Sequence, residues 1–260
     1  MKLFSFLCAS LALTRTHAKY DDTIAKRNLQ LAAATYCSAD KIQSWDCTHC
    51  VPGITVRDAI IGTTNIIVAN DSIQNATVFA FRGSADIQNW ISNLEFIFTA
   101  PYPDHKIKVH EGFYEEYMEY KDALFQYLPP LGEKIIIAGH SSGAALSMLM
   151  AYDIHKIYDV EVYTFGKPRL GNDAFVESAK PIRHYRITHH NDIVPHVPEE
   201  VFGYRHTNTE IWYTDDDGKN YRICENNEDK ECSNSCAPIH CDSIDDHLYY
   251  MGTHIGTPYC

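Results

Sequence analysis

The stretch IIIAGHSSGAAL, residues 135–146, runs from a dense apolar segment into a tight Gly/Ser turn and out into an alanine-rich, helix-prone segment. An apolar run of this kind suits a strand buried on both faces, and the residues after the turn suit a helix. Strand, turn and helix in that order make half of a βα unit, which builds a parallel sheet. Two serines, Ser141 and Ser142, stand side by side in the turn.

Gly139, Ser141 and Gly143 meet the pattern G-x-S-x-G. The motif is mechanical: a serine on a sharp strand-to-helix turn needs small residues two places before and two after, so that strand and helix can approach. Counting from Ser141 gives glycine on both sides, whereas counting from Ser142 gives His140 and Ala144. Ser141 is therefore the better nucleophile. The backbone N–H of Ser142, at the start of the helix, can donate to an oxyanion. Chance alone puts such a triplet in roughly one chain in ten or fewer of this length. The competing reading is an ordinary polar loop that ends a buried strand.

Outward from this unit, residues 23–36 have helical spacing, and 64–70 and 76–81 form two short runs separated by a polar turn, a hairpin. Residues 112–128 form a helix that the Pro129–Pro130 pair ends. After the strand at 134–139 and the helix at 142–155 come a strand at 160–166, a short helix at 172–180 and a strand at 182–188. Buried strands alternating with helices predict an α/β fold: a mostly parallel central sheet flanked by helices, with the front hairpin added antiparallel. After residue 207 the chain turns polar and rich in cysteine, and reads as a disulfide-pinned excursion.

A serine hydroxyl is a weak nucleophile at neutral pH and needs a histidine base held by a carboxylate, in the order Ser, acid, His for this type of fold. For the acid, Asp192 follows the strand 182–188, at the edge where α/β sites gather. The alternatives are an Asn/Asp turn before a proline there, Asp173, or the Asp215–Asp217 run, which reads as a solvated turn. For the base, His196, His206, His240, His247 and His254 all lie downstream of Asp192; His247, between an acidic turn and an aromatic stretch, is the best placed. His184, His189 and His190 read as surface or structural residues. Ser84, after the strand that ends at Arg82 and beside the flexible Gly83, is either a second oxyanion donor or the start of a polar loop. Ile87, Trp90, Ile91 and Leu94 recur at helical spacing opposite polar residues, which fits a lid or a permanently packed helix; adjacency to Ser84 favours the lid.

The chain has 260 residues, of which 45% are hydrophobic, enough for a full core. Residues 1–18 carry Lys2, an apolar run from Leu3 to Leu13 and small residues at Thr16 and Ala18, the pattern of a cleavable secretory signal, so one domain is expected over 19–260. That apolar run is too short to cross a bilayer, and no stable membrane span is expected. Loss of Lys2 and Arg15 with the signal takes the formal charge from −12 to −14. Such acidity argues against nucleic acid as a partner. Asn70 and Asn75 open glycosylation sequons. Beyond Cys8, the eight cysteines 37, 47, 50, 224, 232, 236, 241 and 260 are an even set for an oxidising compartment. Four disulfides are the simplest reading; Cys47-x-x-Cys50 as a redox or zinc motif, and Cys232, Cys236, His240 and Cys241 as a metal knuckle, are the less favoured ones. No metal and no cofactor are expected.

Taken together, FRGS followed by I-x-N-W-I-x-N-L, then VHEGF, IIIAGHSSGAAL, VYTFGKPRLGN, NDIVPHVP and DDHLYYMG resemble, in family order, the class 3 lipases, the secreted filamentous-fungal group within the α/β-hydrolase fold. The resemblance runs from about residue 23 to 260. It implies Ser141 as nucleophile, Asp192 as acid, His247 as base, Ser84 and the Ser142 N–H as oxyanion donors, and 86–94 as the lid. It also implies bridges Cys37–Cys260 and Cys47–Cys50, and leaves the pairing of Cys224, Cys232, Cys236 and Cys241 open. Two features depart from the family: many members have leucine in place of Ser142, and the segment 224–241 is longer and richer in cysteine.

The expectation is a secreted, monomeric serine ester hydrolase that cleaves fatty-acyl esters of acylglycerols at an oil–water interface, through an acyl-enzyme. A feruloyl-type or phospholipid esterase on the same scaffold is the nearest alternative. From another class, a non-catalytic lipid- or glycan-binding module would keep the fold and lose the reaction.

Overall fold

The computed structural model describes residues 19–237 and 240–260; the signal expected at 1–18 lies outside them. In chain order the elements are helices α1 (Asp22–Ala34) and α2 (Ala39–Ser44), strands β1 (Ile54–Ile60), β2 (Ile66–Asp71) and β3 (Ala76–Phe81), and helix α3 (Ile87–Asn93). A two-stranded pair, β4 (Phe98–Thr99) and β5 (Val109–His110), precedes α4 (Glu111–Phe125). There follow β6 (Lys134–His140), α5 (Ser142–Ile154), β7 (Asp159–Phe165), α6 (Asp173–Ala179), β8 (Arg183–His189), β9 (Glu210–Tyr213) and β10 (Tyr221–Cys224).

The main sheet has eight strands in the order β1-β2-β3-β6-β7-β8-β9-β10. Its centre, from β3 to β9, is parallel, and its flanks β1–β2–β3 and β9–β10 are antiparallel. Strand β6 shows why both faces are covered: Ile135 and Ile137 pack into the cluster of α4 and α5, while Ile136 and Ala138 pack into the opposite cluster with α1. Its alternating side chains are therefore apolar on both sides, and the strand reads as one continuous run. On α1, Ala25, Ala32, Ala33 and Ala34 are fully buried, so their small side chains let that helix lie close to the sheet.

Local signals set most element ends. The Asp21 carboxylate accepts the N–H groups of Thr23 and Ile24 at 2.9 and 3.2 Å and starts α1. Helix α4 begins where His110 Nδ1 accepts the Phe113 N–H at 3.3 Å.

One strand goes beyond the sequence reading, and one expectation needs correction. Residues 54–60 form an edge strand, β1, beside the hairpin; its half-exposed residues mask the periodicity of a buried strand. The segment after residue 207 is more than an excursion, because Glu210–Tyr213 is the fifth parallel strand and Tyr221–Cys224 pairs with it. Its polarity hides a buried network: Glu210 accepts from Arg186 at 3.0 Å and from the Thr188 hydroxyl at 2.7 Å, all three being buried. A buried strand that carries a paired carboxylate does not read as apolar. The cysteines pair as Cys37–Cys260, Cys47–Cys50, Cys224–Cys232 and Cys236–Cys241. Asn70 and Asn75 are exposed on the β2–β3 hairpin.

Candidate active site

Strand β6 delivers the chain into α5 through Ser141, whose φ of 59° and ψ of −133° lie outside the ordinary regions for a non-glycine residue. Such a conformation costs on the order of 1–3 kcal/mol and persists only where surrounding packing imposes it. That packing is evident at both glycines of the motif. A Cβ on Gly139 would come within 2.6 Å of the Gly143 carbonyl oxygen, and one on Gly143 within 2.6 Å of the Phe81 carbonyl oxygen. Ser142 is the first residue of α5, where its N–H has no acceptor within the helix. The two serines thus differ in backbone role: one sits on the elbow and the other opens the helix.

His247, in a short 3-10 turn at Asp246–Leu248, places Nδ1 2.9 and 3.0 Å from the two carboxylate oxygens of Asp192. Asp192 also accepts the Val194 N–H at 2.8 Å and the Tyr250 hydroxyl. Burial pushes its carboxyl upward, but the His247 imidazole, Tyr250 and Val194 outweigh this and hold it below the usual aspartate value. An ionised Asp192 fixes the His247 tautomer with its proton on Nδ1, which turns the lone pair of Nε2 outward. Gly166 makes room for the pair: at φ +59°, a Cβ there would meet His247 Nδ1 at 2.7 Å and Asp192 Oδ2 at 2.8 Å.

A second polar chain joins three parts of the site. The Gly83 N–H donates to the Tyr36 hydroxyl at 3.0 Å, and that hydroxyl donates to His140 Nδ1 at 2.7 Å. His140 Nε2–H in turn donates to the backbone carbonyl of His247 at 2.8 Å, and its ring stacks on the His247 ring with centroids 4.5 Å apart. Burial, reinforced by repulsion from His247, lowers the His140 pKa to about 3, so this imidazole stays neutral. Tyr36, His140 and Tyr250 received no role from sequence. His140 adjoins Ser141 and Tyr250 lies in DDHLYYMG, yet nothing local in either stretch names a hydrogen-bond partner.

Ser141 and His247 are fully buried and Asp192 nearly so. The Ser141 hydroxyl and His247 Nε2 have no hydrogen-bond partner among the described residues, so the serine–histidine contact is not closed in this state. A Cβ on Gly83 would lie 2.5 Å from Ser141 Cβ, which sets the loop carrying the half-buried Ser84 directly against the elbow. Beyond it, α3 buries Ile87, stacks Trp90 on Phe113 with centroids 6.0 Å apart, and packs Leu94 against the same core. Ile91 is half-buried, while Gln88, Asn89, Ser92 and Asn93 face solvent. The amphipathic helix therefore lies with its apolar side down.

The remaining sequence-predicted histidines stand apart from this arrangement. His206 Nε2 donates to the Pro195 carbonyl at 2.7 Å, and His196 lies 3.6 Å from the sulfur of Cys236, which is committed to a disulfide. The cysteines of the possible metal knuckle are all in disulfides, so they offer no thiolates. A buried serine elbow beside a carboxylate-oriented imidazole can carry out acyl transfer: proton removal by Nε2, attack by the serine oxygen, and donation from helix-start N–H groups to the oxyanion.

Comparison with known proteins finds lipases. The family model described as Lipase (class 3) matches residues 78–202. The lipase of Rhizomucor miehei is 34% identical over 248 residues, covering 87% of this chain and 67% of that protein. Secreted mono- and diacylglycerol lipase 1 of Fusarium solani is 32% identical over 204 residues, 71% of this chain and 61% of that one. The chain thus spans about two thirds of the length of these relatives. Among solved structures, the triacylglyceride lipase of Rhizomucor miehei superposes with a TM-score of 0.81 at 32% identity, over 91% of this chain and 96% of that one.

Proposed function

Since the chain belongs to the class 3 lipase family, with its α/β-hydrolase fold, we propose that it is a serine ester hydrolase acting on fatty-acyl esters of acylglycerols. One observation carries this reading: a serine on a strained elbow is buried beside an Asp192–His247 pair, next to an amphipathic helix turned apolar side down. His247 Nε2 removes the Ser141 proton as its oxygen attacks the ester carbonyl. The N–H of Ser142 and the hydroxyl or N–H of Ser84 hold the oxyanion. His247 then protonates the leaving alcohol, and water, activated by the same imidazole, releases the fatty acid from the acyl-enzyme.

Full burial of Ser141 means that substrate enters only after covering chain moves, and residues 86–94 are the segment we assign to that movement. At a lipid surface Trp90, Ile91 and Leu94 gain an apolar environment when the helix turns out, which couples opening to the interface. We place the protein outside the cell, with the leader removed after residue 18, and with Asn70 and Asn75 available for glycosylation; the four disulfides support this.

The test is hydrolysis by the purified enzyme below and above the solubility limit of each ester in a panel of triglycerides, partial glycerides, phospholipids and feruloyl esters. A sharp rise past the solubility limit of glycerides is expected. Equal or better hydrolysis of soluble feruloyl esters would overturn the substrate class. Absence of organophosphonate labelling, or labelling that survives Ser141→Ala, would overturn the catalytic reading and leave a non-catalytic binding module.

A further inference from the structure

Strand β8 ends at His189 and the chain turns at His190, whose φ is 39°. His189 Nδ1–H donates to the Asp246 carbonyl at 3.1 Å, which leaves the Nε2 atom with a lone pair. That Nε2 is buried and has no hydrogen-bond partner among the described residues. It faces Asp216 Oδ1 at 3.5 Å, and His190 Nε2 faces the same oxygen at 3.4 Å. The three donor atoms all lie within 4.8 Å of one another.

We propose that His189, His190 and Asp216 form a binding site for a divalent ion of the zinc type. The spacing is the first argument. A charge-assisted hydrogen bond brings nitrogen and oxygen to about 2.7–2.9 Å, closer than either contact here. Two ligands about 2.0–2.1 Å from a tetrahedral centre stand about 3.3–3.4 Å apart, close to both observed separations. The ligand set is the second argument: two imidazoles and one carboxylate suit zinc and its neighbours, whereas calcium and magnesium favour oxygen throughout.

The turn itself is the third. Asp215 accepts the N–H groups of Lys219 and Asn220 at 2.9 and 3.0 Å, and Asp217 pairs with Lys219 at 2.8 Å. Asp216 is the one of the three aimed at the imidazoles, so the acidic run expected as a solvated turn divides into three different roles. Asp216 is exposed and His190 partly so, which gives an ion and a completing water ligand access from solvent.

An ion here ties the β9–β10 turn to the end of β8, three residues before Asp192. The same strand end holds the segment before His247, because Asp246 accepts from His189 and its carboxylate accepts the Asn191 N–H at 3.0 Å. The expected consequence is stability of the segment carrying acid and base, with no part in the chemistry itself.

The test titrates zinc chloride into the tag-free, chelator-treated protein at pH 7.5 by calorimetry, with Asp216→Asn and His190→Asn alongside. One ion per chain is expected, with affinity at least about tenfold weaker in each variant. The thermal midpoint should rise by about 5–10 °C at a zinc concentration a hundredfold above Kd. Calcium chloride should do neither. Saturable binding that Asp216→Asn leaves unchanged, absence of stoichiometric binding, or an equal response to calcium would each overturn the site. Because His190 adopts a positive φ, its variant counts only if its metal-free midpoint matches the parent; the exposed Asp216→Asn carries the test on its own.

Discussion

His140 Nε2 donates to the backbone carbonyl of His247 at 2.8 Å, so the residue before the proposed nucleophile holds the residue proposed as its base. Through Tyr36 the same imidazole reaches the Gly83 N–H at the loop that bears Ser84. Replacing His140 with leucine leaves the buried carbonyl of His247 without a partner, at a cost of about 1–3 kcal/mol, and takes from the Tyr36 hydroxyl its acceptor while its bond from the Gly83 N–H remains. The expected result is a lower thermal midpoint and a fall in kcat of about a hundredfold, as misplacement by 1 Å is enough for that, with KM little changed. Steady-state kinetics on a soluble short-chain ester checks this, and an unchanged kcat would remove His140 from the positioning network.

Ser141 and Ser142 should separate cleanly. Ser141→Ala is expected to lower kcat by about a millionfold while keeping the fold, since it removes the attacking oxygen. Ser142→Ala should stay within about threefold of the parent, because the proposed oxyanion donor is its backbone N–H, which alanine keeps. A hundredfold loss in Ser142→Ala would show that its hydroxyl is in use.

Trp90 stacks on Phe113 with ring centroids 6.0 Å apart. Trp90→Ala removes both that contact and an apolar group that would meet lipid. Activity on emulsified glyceride should fall by at least about tenfold, while activity on a soluble ester changes by less than about threefold, given the energies of one aromatic contact. Equal loss on both substrates would argue for a fixed packing helix at 87–93.

Three histidines held neutral by desolvation make stability depend on acid. His140, His110 and His196 have pKa values lowered to about 3, about 4 and about 4, in each case chiefly by burial. All three are neutral in the folded protein at pH 5 and charged in the unfolded chain, whose histidines titrate near 6.5. A group with a depressed folded pKa gives its full contribution above the unfolded value and loses it as pH falls toward the folded one. Stability should therefore decline from about pH 6.5 toward pH 4, with a slope near pH 5 of about 4 kcal/mol per pH unit from these three groups. Urea unfolding at pH 7, 6 and 5 measures it, and His196→Gln should reduce the slope by about one proton.

The Cys37–Cys260 bridge closes a loop with a sequence separation of 223 residues, between the end of α1 and the chain's last residue. Loop-closure entropy for such a span predicts a loss of about 5 kcal/mol when both cysteines become alanine, or about 2–5 kcal/mol as native bridges typically measure. The Cys236–Cys241 bridge spans a separation of only 5 residues, and its removal should cost less. Denaturant midpoints of the two double variants give the order directly.

Much of the architecture was legible because its signals are local. The apolar run of β6, the steric need for Gly139 and Gly143, and the small, helix-favouring residues of α5 act within about ten residues of one another. They point to the elbow and favour Ser141 over Ser142 as its nucleophile, and the succession of strands and helices after it points to a parallel sheet covered on both faces. Strand β9 escaped notice because Glu210 is polar in sequence and becomes compatible with burial only when Arg186 and Thr188 meet it.

The amino-acid sequence by itself determined the elbow, the order of βα units and the chemical types gathered after them, since sterics and periodicity are properties of neighbours along the chain. Tertiary structure decided the rest. It brought His247 and Asp192 together, paired the last four cysteines, and linked Tyr36, His140 and His247 across 104 and 107 residues. It also turned an acidic run and two adjacent histidines toward one another at Asp216. A hydrogen-bond partner at that distance is chosen by packing of the whole sheet, and no local pattern encodes which polar group will arrive.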